Sequence, residues 1–130
     1  MCVCLVAFGA AGTTVAHAAD NKTRYMLEGI STPEVFAALL KNPEDRSANA
    51  KRLMAAAGCE LIDYYIGVHN YKGYIIIDCG ADANLAALQL VTFAGGGVSV
   101  GEATKILTGA ELAEQAKAAA ALVDSYKVPE

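Results

Sequence analysis

The apolar positions along this chain change period several times, and each change marks an element. From Cys59 to Cys79 two runs, ELIDYYI and GYIIID, are filled with β-branched and aromatic residues. A polar turn through His69, Asn70, Tyr71 and Lys72 separates them and Gly73 marks the re-entry, a pattern that predicts a β-hairpin. Upstream, Arg24 to Gly29 reads as a first strand. Thr32-Pro33-Glu34 then opens a helix, with Thr32 as N-cap, proline at the first helical position and an acid at the positive end of the dipole. Val35, Phe36, Leu39 and Leu40 recur at helical spacing until Asn42-Pro43-Glu44-Asp45 interrupts and restarts the helix. The second half places Ala50, Leu53, Met54 and Ala57 on one stripe and stops at Gly58. After the hairpin, Asp82 is expected to cap the run ANLAALQLVTFA, with Leu85, Leu88, Val91 and Thr92 available to a core, and Gly95-Gly96-Gly97 ends it. Val98 to Ile106 reads as a fourth strand with Val98, Val100, Glu102 and Thr104 on one side. Thr108-Gly109-Ala110-Glu111 is a capping-box sequence that opens an alanine-rich helix to about Tyr126. The order is that of an α+β, ferredoxin-like domain: a split βαβ unit with an antiparallel four-stranded sheet and an extra C-terminal helix.

Pairing Tyr64 with Tyr74 sets a register for the hairpin. Cys59, Leu61, Asp63 and Tyr65 then face Cys79, Ile77, Ile75 and Gly73, and Glu60, Ile62, Tyr64 and Ile66 face Asp78, Ile76, Tyr74 and Lys72. Both faces are largely apolar, whereas a sheet with one wet face alternates cleanly. The helices of the split unit cover one face. A second copy of the chain, packed sheet to sheet, is the economical cover for the other, which predicts a homodimer or a higher homo-oligomer. The competing cover is the C-terminal helix, folded back over the sheet.

Composition narrows the picture. At 130 residues the chain is one domain, large enough to bury a core. A net charge of −4 and a pI near 5.1, with no lysine or arginine cluster, exclude a nucleic-acid surface and disfavour an anionic membrane. Residues 1–18, MCVCLVAFGAAGTTVAHA, carry no charge and end in Ala16-His17-Ala18, the pattern of a signal peptide cut before Ala19, although no basic residue precedes the apolar run. The expected mature domain is therefore 19–130, periplasmic or secreted; without cleavage the chain would be cytoplasmic. The run is too short and too rich in Gly and Thr for a membrane span, so no stable membrane insertion is expected.

On the restart Asn42-Pro43-Glu44-Asp45-Arg46, the helix stop at Gly58, the hairpin with Tyr65, the Gly73-Tyr74 step, Cys79-Gly80-Ala81-Asp82 and the glycine run before strand four, the chain resembles the GYD-domain family from about Tyr25 to Thr108. The resemblance implies a dimeric α/β barrel. It implies no general activity, and Ile75 stands where the family's aspartate would follow Tyr74, so no role attached to that aspartate carries over.

Candidate chemistry is sparse. In the register above Cys59 and Cys79 face each other, which allows a disulfide in an exported protein; two buried free thiols are the alternative in a reducing compartment. Glu60 opposite Asp78 juxtaposes like charges, to be read as a metal pair or as strand-end carboxylates in water. His69 stands at the hairpin tip among Tyr64, Tyr65, Tyr71 and Tyr74, as a general base with tyrosines to orient a small ligand, or as an exposed turn residue beside interface tyrosines. Asp63 is a carboxylate within an apolar strand face, with Arg46 as its expected partner. Catalytic candidates are therefore Asp63 and His69, and ligand-binding candidates are Tyr64, Tyr65, Tyr74 and Arg46. The glycine run follows a helix and precedes a strand, the reverse of a phosphate loop, and no metal or cofactor spacing is present. The reading that results is an exported, non-catalytic, oligomeric binding or assembly module. The alternative is a cofactor-independent isomerase or monooxygenase-like enzyme acting on a small aromatic or carbonyl compound.

Overall fold

Nine residues, Thr23–Ser31, form β1, and the computed structural model, which describes residues 21–128, continues as the period changes require. Pro33–Lys41 is α1, Ser47–Ala56 is α2, Cys59–Ile66 is β2, Lys72–Cys79 is β3, Leu85–Ala94 is α3, Val98–Lys105 is β4 and Gly109–Ala120 is α4, followed by a short 3₁₀ turn at Val123–Ser125. The strands form one sheet in the order β2-β3-β1-β4, with every neighbouring pair antiparallel. This is the ferredoxin-like split βαβ arrangement. The expected signal segment, with Cys2 and Cys4, lies outside the described residues.

The helix boundaries follow from local chemistry. Pro33 and Glu34 occupy the first turn of α1 as expected, but the Thr32 hydroxyl does not cap the helix. It donates instead to the Gly96 carbonyl at 2.6 Å, tying the start of α1 to the glycine run before β4. Asn42-Pro43 ends α1, and the Asp45 carboxylate accepts from the Ser47 amide at 2.9 Å as α2 begins; its hydrogen bonds to Ser47 hold this carboxyl below its ordinary range. Gly58, at φ +85°, takes the left-handed conformation that closes α2. Asn84, rather than Asp82, caps α3, because its side chain reaches the Ala87 amide at 3.0 Å.

The core lies where α2 and α3 meet one face of the sheet. Met54, Leu88, Ile77, Cys59 and Cys79 are buried there, with Tyr25, Leu27, Leu61 and Ile75 packed around them. Ile77 is fully enclosed, so truncating it to alanine would remove about 2–5 kcal/mol. The Cys59 and Cys79 sulfurs are bonded to each other at the end of the hairpin.

Two bulges correct the expected register. Up to Leu61↔Ile77 the hairpin pairs as read from the sequence, but the register slips at Ile62, so that Tyr64 lies opposite Ile75 and Tyr65 opposite Tyr74. Because side chains alternate with period two, one extra residue exchanges the two faces for the rest of the strand. Tyr64 therefore turns to the helix side, while Asp63 and Tyr65 turn to the open side. A second irregularity pairs Ser31 with Val98 and Ile30 with Val100, which bulges Ser99 and separates Val98 from the face of Val100 and Glu102. The Ser99 hydroxyl donates to the Ile30 carbonyl at 3.2 Å across it.

Among the described residues, no helix covers the sheet's other face. The capping box of α4 is complete, with the Thr108 amide donating to Glu111 at 2.7 Å and the Glu111 amide to the Thr108 hydroxyl at 3.2 Å. Every α4 side chain is nevertheless exposed, so α4 does not fold back as a cover. Its sequence, GAELAEQAKAAA, has one large apolar residue, and a stripe of alanines buries too little area to hold it down.

Candidate functional site

Between the helix-side face of the sheet and helices α1 to α3 lies a cavity of about 420 Å³. Its walls are mainly apolar: Leu27, Ile75 and Val98 from the sheet, Ala50, Leu53 and Met54 from α2, Leu88 and Val91 from α3. The space exists because side chains are missing from the sheet at one level. Gly29 pairs with Gly73 on one side and with Gly101 on the other, so three adjacent strands present glycine in a row towards the helices. At Gly29 the reason is packing, since a Cβ there would sit 2.7 Å from Val98 Cγ1. At Gly73 and Gly101 a Cβ would meet nothing nearer than 3.7 Å and 3.8 Å, and neither has a positive φ.

Polar groups are few. Arg46, Asn49, Gln89, Thr92 and Tyr64 reach the cavity. Glu28 and Glu102 also border it, but the alternation of β1 and β4 places their side chains on the open face, where Glu28 meets Lys72 Nζ at 3.4 Å. Arg46 is thus the one charged lining residue on the helix side, among the described residues. Its Nε is shielded from solvent and lies 3.4 Å from Glu44 Oε1, an ion pair whose geometry makes no hydrogen bond. Burial pushes the Tyr64 hydroxyl above its ordinary value, and the Arg46 charge opposes that rise. The hydroxyl therefore stays protonated at neutral pH and remains a donor.

The expected site residues divide between the two faces. Tyr64 and Arg46 come together at the cavity. Asp63 is exposed on the open face, where it accepts from the Tyr65 hydroxyl at 3.3 Å, and Arg46 pairs with Glu44 rather than with Asp63. Tyr65 is 60% exposed on that face, opposite Tyr74. The Tyr74 hydroxyl accepts from Asn70 at 2.6 Å, and Asn70 accepts from the Lys72 amide at 3.1 Å, which braces the turn. His69 is exposed in that turn and does not line the cavity. Tyr71, at φ 57°, packs edge-on against Phe36 with ring centroids 5.5 Å apart, docking the hairpin tip on α1.

Glu60 and Asp78 do face each other, and cations from the chain itself resolve the repulsion. Arg24 on β1 grips Asp78 with two hydrogen bonds of 2.7 Å, and Lys22 reaches Glu60 at 3.1 Å. The hydrogen bond to Arg24, more than its charge, draws the Asp78 carboxyl below its ordinary range, and the same contact raises Arg24. Among the described residues no group of three histidine, cysteine or acidic side chains is placed to hold a metal, and no helix is long and apolar enough to cross a membrane.

Leu88, Val91 and Thr92 of α3 are expected core residues, but the sequence does not mark the glycine row or Val98 as part of a site. Each glycine has a local reading of its own, Gly29 as a strand end and Gly73 as a turn re-entry, which masks the row. No protein-family model matches this chain, and comparisons with curated proteins and with solved structures find no match either.

Proposed function

We propose that this chain is an exported, GYD-like binding module, non-catalytic, that takes a small apolar molecule between its sheet and helices and pairs with a second copy through the open face of the sheet. The observation that carries the binding part is the cavity of about 420 Å³, within the range of roughly 300–1,000 Å³ typical of ligand pockets. Its helix-side lining holds an arginine, a tyrosine and amides, groups that bind and orient. The enzyme alternative rests on Asp63 and His69 converging with the tyrosines on a cavity, and both stand away from the lining.

Assembly has separate support. Met26, Tyr74 and Ile76 form a half-buried apolar centre on the open face, flanked by the exposed Ile30, Ile62, Tyr65 and Val100. A second such sheet would cover this centre, giving a dimeric α/β barrel.

Fluorescence titration with a neutral apolar probe, N-phenyl-1-naphthylamine, tests the binding part. Saturable enhancement at one site per chain, lost when Ala50→Phe fills the cavity, is the expected result. Emission that does not saturate, or that is unchanged in Ala50→Phe, would remove the cavity as the site.

A further inference from the structure

The glycine row is more than the source of the space. Glycine within a strand weakens it, by roughly 0.5–1 kcal/mol against alanine, and is retained where a bulge, a bend or a closely approaching group requires it. Gly29 has such a requirement in Val98, which sits over it. Gly73 has none among the described residues: its backbone is ordinary, it is buried, and an added Cβ would make only ordinary van der Waals contact, nearest to Ile66, the Gly29 carbonyl and Ile75. The floor above Gly73 is left as a slot between Ile66 and Ile75 on one side and Val98 on the other. Val98 covers the Gly29 level, so the bare floor is one strand wide, at Gly73; neighbouring strands lie about 4.8 Å apart, and a gap of that width suits the edge of a flat ring better than a bulky body.

One charged side chain, Arg46, lines the slot from the helix side, with the carboxylates of Glu44 and Asp45 near it and Tyr64. Arg46 presents a guanidinium with five N–H donors, and Glu44 meets only its Nε edge, without a hydrogen bond. The Tyr64 hydroxyl adds a neutral donor from the same wall, while the acidic side chains of Glu28 and Glu102 lie on the far side of the sheet. A half-buried guanidinium beside a protonated hydroxyl, over an otherwise apolar slot, complements a planar anion attached to an apolar body. We infer that the cavity binds a small aryl carboxylate, its ring lying over Gly73 and its carboxylate held by Arg46 and Tyr64. This assignment of ligand class rests on the binding reading above.

Isothermal titration of the purified full chain with naphthalene-2-carboxylate, its neutral carboxamide and linear octanoate separates the two ideas. The carboxylate should bind once per chain. Arg46→Gln should weaken it about 10- to 100-fold, the range of a lost charge-assisted hydrogen bond, and weaken the carboxamide, whose carbonyl makes only a neutral hydrogen bond there, less than about tenfold. Octanoate should bind at least about tenfold more weakly, lacking the flat body. Gly73→Val should abolish binding of both naphthalenes without lowering the unfolding midpoint; Gly101→Ala offers a milder filling on the other side of Gly29 and should weaken both. Equal affinity of carboxylate and carboxamide, indifferent to Arg46→Gln, would overturn the anion anchor and leave the cavity reading standing. Octanoate binding as well as the carboxylate would overturn the flat slot. Binding of none of the three would overturn the ligand class and the cavity reading together.

Discussion

Reducing the Cys59–Cys79 bond should destabilise the domain by about 3 kcal/mol, mostly through the unfolded chain. The bond closes a loop with a sequence separation of 20, and removing that closure returns about 11 cal/mol/K of entropy to the unfolded state, or about 3 kcal/mol at 25 °C. The native side changes little. The flanking pairs Glu60↔Asp78 and Leu61↔Ile77 keep the hairpin in register, and the two thiols stay in the core, where Cys59 is 6% and Cys79 2% exposed. For a domain of this size that loss corresponds to a fall in Tm of about 10–20 °C. Urea and thermal unfolding, followed by circular dichroism and tyrosine emission with and without a phosphine reductant, measure it. The double variant Cys59→Ala/Cys79→Ala removes this bond alone and should lose at least as much, since two buried sulfurs go with it. Coincident midpoints for oxidised, reduced and double-variant protein would refute the loop-closure reasoning.

Other expectations follow from the same structure. Sedimentation velocity should find a dimer, and Ile76→Arg, at the centre of the open face, should weaken it at least about tenfold while leaving the fold intact; a wild-type monomer at every concentration would contradict the two-copy reading. Thr108→Ala should cost α4 about 1 kcal/mol of helix stability, seen as faster amide exchange over residues 109–120, with the sheet's Tm unmoved because no α4 side chain is buried; a fall in global Tm would show that α4 braces the sheet. The Asp78 carboxyl is depressed in the folded state, so its contribution is present above its unfolded pKa and lost as pH falls below about 4 towards the folded value. Asp78→Asn should flatten the acid side of the stability profile, and a profile identical to wild type would refute the role of the Arg24 contact.

Much of the fold was legible because its signals are local. Pro33, Asn42-Pro43, Gly58 and the Thr108–Glu111 box mark helix ends through backbone chemistry that depends on a few neighbouring residues. The facing cysteines were legible too, because the hairpin holds its simple register from Cys59↔Cys79 to Leu61↔Ile77. The bulges at Ile62 and Ser99 were not. Isoleucine is an ordinary strand residue, and nothing in its type announces a slip, yet the slip moved Tyr64 to the cavity and Asp63 to the open face. The cavity was hidden for a related reason. Gly29, Gly73 and Gly101 are far apart in sequence, and only the strand pairing brings them into one row.

The most direct test of the account is amide chemical-shift mapping of the protein titrated with naphthalene-2-carboxylate. The prediction is saturable shifts at Gly29, Gly73, Gly101, Arg46 and Tyr64, with Met26, Asp63 and Ile76 on the open face unmoved. Shifts confined to the open face or the His69 turn, or no saturable shift at all, would contradict it.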